Sequence, residues 1–274
     1  MIAQTLIDRF EQFASPKIAE PGDPVGLQLG NANREVKTVM TTLDVRPEVV
    51  EEAIEQQVDF IFAHHPMMFH AAHNLDLSDP QNEMYAALLR HNIVVYGAHT
   101  NLDNVNGGMN DWLAEQLDLH DTKPLLAGGT DPLTGQHYGM GRVGTLAQEI
   151  PVSNFAEYCC QVFNLTGLRL IKPLHERLIK TVAVLGGSGG QFYRQAVNQG
   201  ADAYVTGDVS YHVGHDMIAQ GLTVVDPGHH IECVCKEKLQ AMFINWAHEN
   251  DWDIKVIASQ LNTDPVTFIQ GAKR

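Results

Sequence analysis

Short apolar runs rich in β-branched residues alternate along this chain with segments whose apolar positions recur every three or four residues. The first pattern predicts buried strands and the second predicts helices. In the first half, strands are expected over 36–44, 58–64 and 93–98. Helices are expected over 46–57, opened by Pro47, and over 81–92, with Met84, Ala87 and Leu88 on one face. The second half repeats this order: strands over 179–185, 203–206 and 222–226, a helix ending at Gln199 and another over 210–220. Strand, helix, strand, helix, strand in each half implies an α/β fold of two related domains with mostly parallel mixed sheets and right-handed crossovers.

The rest of the pattern is less regular. Met1 to Phe10 reads as a mixed helix and not as a signal peptide, because Asp8 and Arg9 interrupt it. Ala127-Gly128-Gly129-Thr130-Asp131-Pro132 reads as a linker, Gly139 to Thr145 as a strand, and Val152 to Phe163 as a helix capped by Ser153. Asp251 to Ala258 alternates as a strand does.

Polar residues gather after the second and third strands of each half, where α/β proteins place their chemistry. His64 and His65 end the 58–64 strand against Pro66, and Asp103 follows the strand after it. His229 and Glu232 follow the last strand of the second half. All five leave carboxyl ends of strands, so one crevice between the halves could collect them as a metal site. Adjacent residues on a strand face opposite ways, which makes one ion an awkward target for both His64 and His65 and favours two. Imidazole and carboxylate suit divalent ions such as zinc, iron or manganese. His229 and Glu232 can converge if a helix starts near Gly228.

Each residue also has a structural reading. A strand-end histidine pair is often simply hydrogen-bonded, Asp103 can form a turn, and Glu232 can favour a helix N-terminus. His99 is a ligand, an orienting group or a proton carrier; His212 and His215, a turn apart, line a site or lie on the surface. Gly186-Gly187-Ser188-Gly189-Gly190 precedes a helix, as phosphate loops do, and Asp208 follows at the distance of a ribose-binding acid. The run lacks the Lys-Ser/Thr of a P-loop and the G-x-G-x-x-G spacing, so a tight strand-to-helix turn is the better account.

Charge changes the picture of partners. With 18 basic against 33 acidic residues, the formal charge of −15 argues against nucleic acid and anionic membranes, and any small anionic substrate needs a local positive focus. Bound cations would provide it. No apolar run approaches the roughly 18 residues of a membrane span. Four cysteines, at 159, 160, 233 and 235, match no zinc knuckle or redox pair and read as packing residues in a reducing, cytoplasmic setting.

Several segments taken in order resemble the NGG-interacting-factor-like dinuclear metal family, whose members often carry the name GTP cyclohydrolase 1 type 2 homologue. They are Asp23-Pro24-Val25-Gly26-Leu27-Gln28-Leu29-Gly30, Thr42-Leu43-Asp44, Ala63-His64-His65-Pro66, His99-Thr100-Asn101-Leu102-Asp103, Gly186 to Gly189, Gly200 to Asp208, and Asp226-Pro227-Gly228-His229-His230-Ile231-Glu232. The resemblance implies ligands at His64, His65, Asp103, His229 and Glu232, two divalent ions per subunit, and a ring-shaped homohexamer. It also implies a metal-binding domain of 1–128 with 227–274 and a second domain of 129–226. Many members place the final Glu four residues after the His; here position 233 is Cys and the acid is Glu232.

Two functions fit. One is a metal-dependent hydrolase of a small nucleotide-like or phosphorylated molecule, using a metal-activated water with His99 or His212 moving protons. The other is a non-catalytic metal-binding assembly for buffering, sensing or partner docking. A dinucleotide binder using the glycine run is a third and weaker reading.

Overall fold

The computed structural model describes residues 1–175 and 177–269. By contact they cluster into two compact units: 1–105 with 130–137 and 233–263, and 106–129 with 138–232 and 264–269.

The first unit is built on a five-stranded sheet in the order β1-β4-β3-β2-β11. These strands are β1 (Gly26–Leu29), β2 (Thr38–Thr42), β3 (Phe60–Ala63), β4 (Val94–Gly97) and β11 (Lys255–Ala258). β11, β2, β3 and β4 run parallel, and β1 closes the edge antiparallel to β4. Every residue of β3 and β4 is buried, as expected where both faces of a parallel sheet are covered. On one face, Phe62 packs among Phe10 of α1 (Ala3–Phe13), Tyr96 and Phe243 of α9 (Cys235–Glu249). On the other, Ile61, Ala63 and Val95 pack with Val49, Val50 and Ala53 of α2 (Pro47–Glu55) and Met84 and Leu88 of α3 (Pro80–Arg90). Both helices carry proline at their first position, where its missing N–H costs nothing.

The second unit carries a six-stranded sheet in the order β5-β6-β8-β9-β10-β7. Its strands are β5 (His120–Thr130), β6 (His137–Ile150), β7 (Arg169–Ile171), β8 (Ile179–Ser188), β9 (Ala203–Gly207) and β10 (Thr223–Asp226). β8, β9 and β10 are parallel, joined through α7 (Tyr193–Asn198) and α8 (Tyr211–Ala219); β6 and β7 flank them antiparallel. Tyr193, Ala196 and Met217 of those helices join Ala183, Tyr204 and Val224 in one core. α5 (Met109–Gln116) packs on β8 and α6 (Val152–Val162) on β10.

The internal repeat read from the sequence is therefore real as topology: β2-β3-β4 and β8-β9-β10 are parallel triplets in which consecutive strands are neighbours. The helix stops repeat too. Gln57, Asn92, Gly200 and Gly221 each lie two residues past a helix end with φ between 54° and 78°, the left-handed turn that releases the chain into the next strand.

Two local expectations need correction. The segment Ala127 to Pro132 is no linker but the end of β5 and the turn into β6. Asp131 organises that turn, accepting from Leu133 N at 2.9 Å while its own N–H reaches Gln136 O at 2.8 Å. The glycines serve a cross-strand ring: a Cβ on Gly128 would lie 2.4 Å from Tyr138 Cε2. Ser153 is not a cap either. It lies within α6, its hydroxyl on Asn154 Oδ1 at 3.2 Å, and Pro151 occupies the cap position. Among the described residues, no helix is long and apolar enough to cross a membrane.

Candidate metal centre

In the first unit the chain presents three histidines together. One ring nitrogen from each of His64, His65 and His99 lies within 4.8 Å of the others. β3 stops at Ala63, so the alternation that would separate His64 from His65 no longer applies, and their ring centroids stand 4.9 Å apart. Each ring is held from a different side. His64 Nδ1 donates to Ala98 O at 2.8 Å, beyond the end of β4, and the ring is fully buried. His65 Nδ1 lies 2.7 Å from Asp44 Oδ1, beyond the end of β2, and Thr263 hydrogen-bonds the second oxygen of Asp44. Gly97 lets the turn approach: a Cβ there would lie 3.1 Å from Pro66 Cα.

His99 Nδ1 lies 2.8 Å from Asp23 Oδ1, and Thr100 donates to the other oxygen of Asp23 through both its N–H and its hydroxyl. Burial opposes ionisation of Asp23, but the hydrogen bonds from His99 and Thr100 outweigh it and hold the carboxyl below its ordinary range. His99 opens the short helix α4 (Thr100–Asn104), which carries Asp103. Asn101 and Asn104 fasten this helix by donating to Ala14 O at 2.8 Å and Ile18 O at 2.7 Å. Asp103 Oδ1 then stands 3.7 Å from His64 Nε2.

The second unit carries a matching pair. His229 to Val234 is a 3-10 helix, in which residues three apart eclipse one another. His229 Nε2 is accordingly 3.1 Å from Glu232 Oε2, so the three-residue spacing suits this chain's local pitch. His229 Nδ1 lies 2.7 Å from Asp208 Oδ2. Asp208 follows β9 with φ 55°, and Asp226 steadies both loops by accepting from Val209 N and Gly228 N, each at 3.0 Å. The glycine run at the end of β8 brings backbone close to the acid. A Cβ on Gly186 or on Gly187 would lie 2.9 Å from Glu232 Oε1. Clearance for Glu232, together with the left-handed φ of 62° at Gly187, accounts for those two glycines.

These residues fit a metal ion on their own chemistry. Four histidines have Nδ1 tied to an oxygen, which fixes the ring as the rings of metal-ligating histidines are fixed. Two donors about 2.1 Å from one ion lie roughly 3–4 Å from each other. The His64–Asp103 and His229–Glu232 separations, 3.7 and 3.1 Å, are in that range.

Sequence reasoning did not assign the anchors Asp23, Asp44 and Asp208 their role. Each sits in a quoted motif, but nothing in linear spacing pairs Asp23 with His99 or Asp44 with His65. His212 lies exposed on α8 with its ring 5.3 Å from that of Tyr211.

Residues 1–265 match the family model described as Duf34/NIF3 (NGG1p interacting factor 3). A Streptococcus pneumoniae protein named GTP cyclohydrolase 1 type 2 homolog is 39% identical over 272 residues, covering 98% of this chain and 100% of that protein. A Bacillus subtilis protein of the same name is 30% identical over an alignment of 367 residues, covering 97% of this chain and 98% of that protein. Among solved structures, a Bacillus cereus protein related to NIF3 superposes with TM-score 0.92 at 28% identity, covering 98% of this chain and 99% of that one.

Proposed function

Since the chain belongs to the Duf34/NIF3 family, we propose that it is a dinuclear metal-dependent hydrolase acting on a small nucleotide-like or phosphorylated molecule. The observation that carries this reading is the shared wiring of the histidines, each with Nδ1 on an oxygen, which orients the ring as metal-ligating histidines are oriented. His64, His65, Asp103, His229 and Glu232 act as one ligand set for two divalent ions of the zinc, iron or manganese kind, and the working assembly is a homohexamer. Divalent ions held there would supply Lewis-acid charge and lower the pKa of water toward neutrality. About four positive charges on the ions exceed the two ligand carboxylates, so an anionic group would be drawn to the ions themselves in a chain of charge −15.

The chain's own side chains do the rest. Asp44 and Asp208 hold His65 and His229 in the tautomer with a proton on Nδ1. Asp23 does the same for His99, leaving its Nε2 to accept a proton and return it to the leaving group. We assign the proton role to His99, whose ring lies 5.3 Å from that of His64.

The reading is tested by mass-spectrometric metal analysis together with a panel of nucleotides and phosphoesters assayed before and after chelation. Two ions per chain and turnover abolished by chelator are expected. Tight metal retention with no turnover on any substrate would instead favour the non-catalytic assembly. A finer probe is Gly186→Ala, whose added methyl would lie 2.9 Å from Glu232 Oε1 and 3.0 Å from Cδ1 of the buried Leu113. Metal affinity should fall about tenfold or more, with some loss of melting temperature, as measured by titration and thermal unfolding.

A further inference from the structure

Beyond β11 the chain has no regular secondary structure over residues 259–263, yet it is tied down step by step. Ser259 N donates to Thr41 O at 2.9 Å, carrying the pairing with β2 one residue further. Glu52 of α2 accepts the Ser259 hydroxyl at 2.6 Å and Gln260 N at 3.0 Å, one on each carboxylate oxygen. Lys236 Nζ reaches from α9 to Ser259 O at 2.9 Å and to Leu261 O at 3.0 Å. The Leu261 side chain packs against the core that α2 and α3 cover. Fixing an irregular segment this closely costs conformational entropy, and what the segment delivers at its end is Thr263.

The Thr263 hydroxyl donates to Asp44 Oδ2, while Oδ1 of the same carboxylate lies 2.7 Å from His65 Nδ1. Thr42 steadies the backbone here by donating its hydroxyl to Asp44 O at 3.0 Å, but the carboxylate can still turn about its own bonds. A partner on each oxygen sets the plane of the carboxylate, and that plane sets the direction of the His65 ring.

We propose that Thr263 is a positioning residue of the metal centre, acting on His65 through Asp44. The segment after β11 is the clamp that carries its hydroxyl to that place. This role presupposes His65 as a metal ligand and adds to the ligand set a control point far along the chain. His64 is held by a backbone carbonyl instead, so the effect falls mainly on the ion that His65 binds.

The test is competition titration of the full chain with zinc against a chromophoric chelator, beside thermal unfolding of the metal-free chain. Thr263→Val keeps the shape of the side chain and loses the hydroxyl. It should weaken one zinc ion by about fivefold, less than when a group touching the ligand directly is removed. Thr263 is only partly buried, so the metal-free variant should melt close to the parent. Thr263→Ser keeps the donor and should bind zinc nearly as the parent does. Equal zinc affinity in parent and Thr263→Val overturns the proposal, as does a Thr263→Ser chain as weak as Thr263→Val. Both ions weakened together with a clearly lower melting temperature would assign Thr263 to packing alone and overturn it too. A parent chain that binds no zinc removes the ligand set itself, and this role with it; a parent that holds two ions while Thr263→Val is indifferent removes only the role of Thr263.

Discussion

Asp103→Asn is expected to lose metal and turnover together, with activity falling on the order of 10³-fold, roughly 4 kcal/mol of transition-state stabilisation. Asparagine matches aspartate in size, and α4 is held by Asn101 and Asn104, which the change does not touch. What disappears is the negative charge 3.7 Å from His64 Nε2, a separation suited to sharing a cation. An amide is also easier to keep in this largely buried position than a carboxylate, so the metal-free variant should melt no lower than the parent. Metal content, turnover and thermal unfolding measured on the same preparation decide the matter. A variant that keeps two ions and full activity removes Asp103 from the ligand set.

The second large effect is on stability. Phe62→Ala should cost about 3–5 kcal/mol, the range for emptying a buried aromatic site. Phe62 is fully buried, stacked on Tyr96 at 5.1 Å and 21°, with the Phe10 and Phe243 rings edge-on at 4.6 and 4.8 Å. These partners come from α1, β4 and α9, so no single shift can refill the space. For a chain of this size the loss corresponds to a melting temperature lower by roughly 10 °C. Urea unfolding should show a lower midpoint with an unchanged slope. An unchanged midpoint would mean that the aromatic stack contributes little. His64 lies two residues further along the same chain direction, so metal affinity should weaken as well.

The repeated strand–helix order was legible in the sequence because each buried parallel strand is a short apolar run and each helix has an apolar stripe. β1, β5 and β7 were not. Gly26–Leu29 is only four residues and half exposed, Arg169–Ile171 only three, and His120–Thr130 faces solvent over most of its length. Such strands exist through their pairing partners and carry little pattern of their own. Gly128-Gly129 misread as a linker for a related reason: the ring that requires them, Tyr138, lies across the hairpin. At the candidate centre, histidines and acids stood out because they ended apolar runs. Their anchors did not. Asp23 is 76 residues from His99, and Asp44 is 21 from His65, so only the folded chain reveals the pairs. The His229–Glu232 spacing was legible as convergence, but its 3-10 pitch was not.

One pairing has a consequence for biosynthesis. β11, near the end of the chain, lies parallel against β2, near its beginning, with Val256 opposite Val39 and Ile257 opposite Met40. On the ribosome, β2 and its neighbours emerge long before this last strand, and their outer edge waits with unpaired backbone groups and apolar side chains. The nascent polypeptide should therefore be most prone to sticking to its fellows until residue 258 has cleared the exit tunnel. Truncation before Lys255 would prolong that vulnerable interval indefinitely.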